Sequence, residues 1–173
     1  MRKRGLIILT MLAIAACAGG CMFLPGDKRK IVNQLNELAE AASADVQENA
    51  VIRMADAARV SRYFTGEVVI DTGQNSEPMI QGRDRVAILV TQAQAAVENL
   101  QIRFTDVDIT VSASDTATAH LTLVLSGRPR EHGGSEASAS SLDAQELLLA
   151  FRKVDDDWLI AHVEVVKTLE RPH

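Results

Sequence analysis

Thr116-Ala117-Thr118-Ala119-His120-Leu121-Thr122-Leu123-Val124-Leu125-Ser126 sets Ala117, Ala119, Leu121, Leu123 and Leu125 in alternation with Thr118, His120, Thr122 and Val124. A period of two marks a half-buried β-strand, because successive side chains leave a strand on opposite faces. Three more strand-like runs surround it: Gln101 to Ser112, Ala144 to Val154 and Trp158 to Lys167. In the first of these the alternation through Ile102 and Phe104 resumes out of phase at Val107, Ile109 and Val111, which predicts a bulge near Thr105 and Asp106. Ser112-Ala113-Ser114-Asp115 and Asp155-Asp156-Asp157 are short enough to join antiparallel neighbours. Gly127 to Ser141, rich in Gly, Ser and charge, reads as a longer loop.

Upstream of these strands the period changes to that of helices. Ile31, Leu35, Leu38, Ala39 and Ala42 recur at spacings of three and four, giving an amphipathic first helix. Ala50 to Tyr63 is a second, alanine-rich helical stretch whose apolar face is read as Val51, Met54, Ala55 and Ala58, packed on the first helix. Glu67 to Asp71 is a short β-rich run, and Asp71-Thr72-Gly73-Gln74-Asn75-Ser76 supplies turn chemistry before Pro78. A third helix is expected from near Gly82, with Val86, Leu89, Val90, Ala93, Val97 and Leu100 on its apolar side. Residues 27–173 suffice for one domain with one core, and no internal repeat is visible.

The N-terminus has the three parts of a secretory signal in order: Arg2, Lys3 and Arg4, then the apolar run Gly5 to Ala16, then small residues before a cysteine. That run is too short to span a bilayer, which needs about 20 apolar residues. Ile14-Ala15-Ala16-Cys17 resembles the lipobox of bacterial lipoproteins. The resemblance implies a signal peptide over 1–16, acylation of Cys17, a tether over 17–26, and a lipid-anchored cell-envelope protein, on the periplasmic face of the outer membrane. Ala18-Gly19-Gly20-Cys21 is the alternative modification site, and a Cys17 to Cys21 disulfide would close too small a loop to staple a core. Loss of Arg2, Lys3 and Arg4 changes the formal charge from −5 to −8. This argues against nucleic acid as a partner and against a polybasic attachment to anionic lipid.

The order helix, helix, strand, helix, four antiparallel strands describes an α+β fold, a curved sheet wrapped around helices. Three stretches carry a resemblance to a known superfamily: Tyr63-Phe64-Thr65-Gly66-Glu67-Val68-Val69-Ile70-Asp71, Ile80-Gln81-Gly82-Arg83-Asp84-Arg85-Val86, and the closing hairpin from Leu148-Leu149-Ala150-Phe151-Arg152-Lys153 to Trp158-Leu159-Ile160-Ala161-His162. Their order resembles the SnoaL-like branch of the nuclear transport factor 2 (NTF2) superfamily, also called the cystatin-like fold. The resemblance implies a cone between helices and concave sheet that commonly holds a pocket, here lined by Leu147, Leu149 and Phe151.

It also makes Asp71 a candidate catalytic base, since the ketosteroid isomerase relatives keep a carboxylate at the end of the first strand. A base there needs a partner that stabilises the developing oxyanion. The strand position corresponding to the partner acid is Leu149, and Tyr63, the single tyrosine, does not match the family's donor. Asp-Thr-Gly is also good turn chemistry, so Asp71 reads as a turn cap in preference to a base. His120, His132, His162 and His173 fall at spacings that supply no metal site, and no cofactor is implied.

Two functions remain. One is a non-catalytic domain that binds a small apolar ligand or a protein partner, with a homodimer through the outer sheet face as one form. The other is an isomerase, cyclase or dehydratase that uses Asp71 as general base.

Overall fold

The computed structural model describes residues 25–45, 50–73, 80–130 and 141–169. Residues 1–16, expected to be a signal peptide, and Cys17, Cys21, His132 and His173 lie outside the described residues.

Helix α1 spans Pro25–Ala42. Proline suits a first turn whose N–H groups lack intrahelical partners, and Asp27 in that turn sets a negative charge at the positive end of the helix dipole. Ile31, Leu35, Leu38, Ala39 and Ala42, the stripe expected from spacing, are all buried. Where α1 ends, Ala44 bridges Leu100 and the Ile102 N–H donates to Ser43 Oγ at 3.0 Å, which ties the helix to the sheet.

Helix α2 (Ala50–Ser61) forms where expected but is rotated relative to the reading of its faces. Ala57 and Val60 are the buried residues, whereas Val51 and Met54 are 75% and 67% exposed and Ala55 and Ala58 also face solvent. The exit of the helix sets this rotation. Val60 is buried one turn before Phe64 enters the core, so the side of α2 that carries Val60 and Ala57 must face inward and the Val51 side outward.

Strand β1 spans Phe64–Asp71, the two-residue strand β2 spans Ile80–Gln81, and helix α3 spans Arg83–Ala96. Gly82, just before α3, has φ +88°, a conformation glycine adopts without a Cβ penalty, and its N–H donates to Val68 O at 2.8 Å. α3 stops earlier than its apolar spacing suggests. Val97 is already extended (φ −123°, ψ 132°) while its N–H still bonds Ala93 O, and strand β3 (Val97–Val111) begins there without a loop. Leu100 is therefore buried from a strand, and pairing of Val97 with Pro129 outweighs helix continuation at a β-branched residue.

Strands β4 (Thr116–Pro129), β5 (Ser141–Val154) and β6 (Asp157–Leu169) complete a sheet of order β2-β1-β6-β5-β4-β3. Neighbours are antiparallel except β1, which runs parallel to β6. The register of β3 shifts between Thr105 and Asp108, with Asp106 at φ +52°, so the bulge lies where the slipped alternation predicted it. Further shifts in the β5–β6 pairing, at Glu146/Leu147 and Ala150/Phe151, add to the curvature. Asp155 and Asp156 have φ of +49° and +69°, as a two-residue hairpin turn requires. The core lies between α1, α2 and α3 and the concave sheet face, with Leu35, Leu121, Trp158 and Ile160 among its least exposed side chains.

Candidate functional site

On the concave face, Ala117, Ala119 and Leu121 of β4 are buried beside Leu147, Leu149 and Phe151 of β5 and Trp158, Ile160 and Val163 of β6. Leu147, Leu149 and Phe151 belong to one packed cluster with Ile31, Leu35 and Leu38 of α1. Each such side chain contributes about 1.5–3 kcal/mol through removal from water. The three residues expected to line a pocket thus serve as core.

Asp71 lies on the other face. Val68 is fully buried and Ile70 packs against the core, so strand alternation turns Val69 and Asp71 outward. Asp71 Oδ1 accepts the Gly73 N–H at 2.9 Å, the bond of a side chain that caps its own turn. Across the outer face the register sets Asp71 beside Glu164, Glu164 beside Leu148, Leu148 beside His120, and His120 beside Asp108. His162 faces Val69 and Ala150 in the adjoining row. Strand β5 separates His120 from His162, so they form no pair. Among the described residues no three His, Cys, Asp or Glu side chains come together as a metal-ligand set. Leu148, Val154 and Val166 are exposed. Alternation with Leu149 and Phe151 assigns Leu148 and Val154 to this outer face, and Val166, the extra residue at the bulge opposite Glu146 and Leu147, is exposed beside them.

Two clefts open on the surface at the helices. The first, about 620 Å³, is lined by Lys30, Gln34, Glu37, Arg59, Arg62 and Tyr63 with Asp156, Asp157 and Trp158. Tyr63 OH donates to Glu37 Oε2 at 3.3 Å, and Gln34 Nε2 is buried with no partner among the described residues. Its cations and anions balance, so it has no net preference for charge of one sign. The second, about 560 Å³, lies between the end of α1 and β3, lined by Asn36, Glu40, Ser43, Gln101, Arg103 and Phe104 among others.

A further cluster was not visible from spacing. Asp27 Oδ1 accepts both the Trp158 Nε1–H at 3.2 Å and the Lys153 ammonium at 3.3 Å, and Lys153 Nζ lies 5.4 Å from the Trp158 ring centroid, within cation–π range. The Trp158 hydrogen bond lowers the Asp27 pKa, burial opposes this, and Lys153 lowers it further. The cluster fastens the first turn of α1 to the β5–β6 hairpin. The only local signal for it was an aspartate in a helix's first turn.

An antiparallel-dominated sheet curved over three helices, with an apolar core in the cone, is the NTF2-like architecture. Residues 40–165 match the model of the SnoaL-like domain family, and the chain belongs to that family. Solved structures agree on the fold. An NTF2-like protein with a cystatin-like fold from Novosphingobium aromaticivorans is 18% identical, with TM-score 0.60, covering 92% of this chain and 90% of that one. A protein described as a candidate scytalone dehydratase from the same organism is 12% identical, with TM-score 0.61 and coverage of 83% and 85%. A candidate dehydratase of the NTF2-like family from Streptomyces avermitilis is 18% identical, with TM-score 0.60 and coverage of 82% and 98%. At such identities the likeness concerns the fold alone. The sequence matches no curated protein significantly.

Proposed function

We propose that this chain is a lipid-anchored protein of the cell envelope whose SnoaL-like domain is a non-catalytic binding module, recognising protein rather than a small apolar ligand. The observation that carries the reading is the use made of the concave face: Leu147, Leu149 and Phe151 are packed into the core, and Asp71 points to the outer face with its carboxylate bonded to Gly73. A base turned away from the cone, with no oxyanion donor beside it among the described residues, gains little of the electrostatic stabilisation that dominates proton-transfer catalysis. The outer sheet face, with Leu148, Val154 and Val166 exposed among polar neighbours, is the surface for the partner, a second copy included. Anchoring rests on the Ile14-Ala15-Ala16-Cys17 lipobox.

Native mass spectrometry of the purified full chain tests the binding reading. A protein complex or dimer that Leu148→Asp disrupts is the expected result; a co-purified apolar small molecule, or turnover lost in Asp71→Asn, would overturn it. Metabolic labelling with a fatty acid tests the anchor. Cys17→Ser should abolish incorporation and Cys21→Ser should not.

A further inference from the structure

Helix α2 carries an apolar ridge that faces solvent. Val51, Met54, Ala55 and Ala58 lie at helical spacing, and all four are exposed. Ile52 is exposed as well, and so are Ile88 and Leu89 on α3, which packs against α2. Five large apolar side chains on two adjoining helices exceed the scattered exposure of an ordinary surface and mark an interaction face.

The charge of these helices points to the partner. Residues 50–62 and 83–96 hold five arginines, Arg53, Arg59, Arg62, Arg83 and Arg85, against Asp56 and Asp84, in a chain whose net charge is −5. Arg59, Arg62, Arg83 and Arg85 are exposed, with Arg59 and Arg62 following the Val51, Ala55 and Ala58 ridge at spacings of three and four. The same polarity extends to the place where the chain enters the domain. Lys28, Arg29 and Lys30 are exposed in the first turns of α1. Lys30 shares a cleft with Arg59 and Arg62, where Glu37, Asp156 and Asp157 offset their charge, so the excess of cations lies outside that cleft, at Lys28, Arg29, Arg83 and Arg85.

We infer that the α2–α3 face docks on an anionic bilayer surface, its aliphatic side chains entering the headgroup boundary and its arginines meeting lipid phosphates. Aliphatic and cationic side chains on one helical face suit such an interface. The inference rests on the envelope reading for its setting and names the face turned to the lipid. The sequence-wide acidity that argues against polybasic attachment is an average, and these helices depart from it. Between Cys17 and Pro25 an extended tether reaches at most about 29 Å, which holds the domain within range of the surface without dictating its orientation.

The test is hydroxyl-radical footprinting of the purified full chain on two kinds of vesicle, phosphatidylglycerol mixed into phosphatidylethanolamine, and phosphatidylcholine alone. On the anionic vesicles, labelling of Val51, Ile52, Met54, Ile88 and Leu89 should fall several-fold relative to Leu148, Val154 and Val166; on the neutral vesicles it should not. Replacing four arginines together (R59Q, R62Q, R83Q, R85Q) should abolish the difference. Equal labelling of both sets on anionic vesicles would overturn the inference, as would protection that is the same on both lipids and vanishes on dilution, the mark of a second copy. Failure of anchoring reads separately, as the absence of acyl mass on the chain. In that case flotation with anionic but not neutral vesicles still supports the docking face, and no flotation with either overturns it.

Discussion

Asp27 offers a quantitative test of how the domain is closed, through variants that separate its hydrogen bonds from its charge. Asp27→Ala leaves the Trp158 N–H, on a side chain only 1% exposed, without its acceptor, and among the described residues leaves Lys153 only the solvent-exposed Asp156 carboxylate at 3.8 Å as an ion-pair partner. Hydrogen bonds to a charged group contribute about 1.5–3 kcal/mol, and a carboxylate at a helix N-terminus about 0.3–1 kcal/mol. Because both partners keep some solvent contact, with side-chain exposures of 14% for Asp27 and 20% for Lys153, the lower part of that range applies. A loss of about 2–3 kcal/mol follows. For a domain of this size that lowers Tm by about 5–10 °C. Asp27→Asn keeps a carbonyl oxygen for Trp158 and loses only the charge, so it should cost about 1 kcal/mol.

The pH dependence separates wild type from either variant, since both lack the titrating carboxyl. The Trp158 hydrogen bond, and after it Lys153, hold the folded pKa of Asp27 below its ordinary 3.8. A carboxyl with a depressed folded pKa gives stability that is fully present above its unfolded value and is lost as pH falls through the folded value. The advantage of wild type over Asp27→Asn should therefore be constant between about pH 5 and 7 and shrink below about pH 4. Urea denaturation at several pH values measures it. In a double-mutant cycle, Asp27→Ala and Trp158→Phe should couple by about 1–2 kcal/mol. Equal losses for the Ala and Asn variants, or an advantage that persists at the lowest pH, would refute the assignment.

Other substitutions test the rest of the molecule. Gly73→Ala should destabilise by more than about 2 kcal/mol, because Gly73 has φ +70° and an added Cβ would lie 2.8 Å from Val165 O; chemical denaturation reads it. Leu149→Ala should cost about 2–5 kcal/mol and open a cavity that admits xenon or benzene; a near-neutral variant, with a parent that already binds these probes, would show that the cone is a ready-made pocket. Asp71→Asn should cost no more than about 1 kcal/mol in thermal denaturation, since among the described residues the carboxylate bonds its own turn, at an exposed site.

The sequence made some of this legible and hid the rest for identifiable reasons. Helix α1 and strand β4 each have one buried and one solvated face, so burial writes its period directly into Ile31 to Ala42 and Ala117 to Leu125. Even the β3 bulge could be read, because a bulge shifts the phase of that period. α2 defeats the method because apolar residues occupy both sides: Ala57 and Val60 are as consistent with a core stripe as Val51, Met54, Ala55 and Ala58, and only the path into Phe64 decides. Val68-Val69-Ile70 likewise offers apolar side chains to both faces, so alternation alone could not place Asp71. The Asp27 cluster joins residues 126 and 131 positions apart, and the parallel pairing of β1 with β6 is comparably non-local. Apart from an aspartate in the first turn of α1, neither leaves a mark within a window of neighbours.

These placements give the domain two unlike sides. α1 packs on β3 and α3 on β1 and β3, so the helices cover the concave face of the sheet, and the ridge of α2 faces away from it. The row running from Asp71 through Glu164, Leu148 and His120 to Asp108 lies on the opposite face. A domain resting on lipid through α2 and α3 would therefore hold that row toward the aqueous side of the envelope, open to a protein partner. The two proposals thus constrain each other. A partner bound on the outer face must protect Leu148, Val154 and Val166 while lipid protects Val51, Met54 and Ile88, and footprints that exchange these two sets would require the opposite orientation.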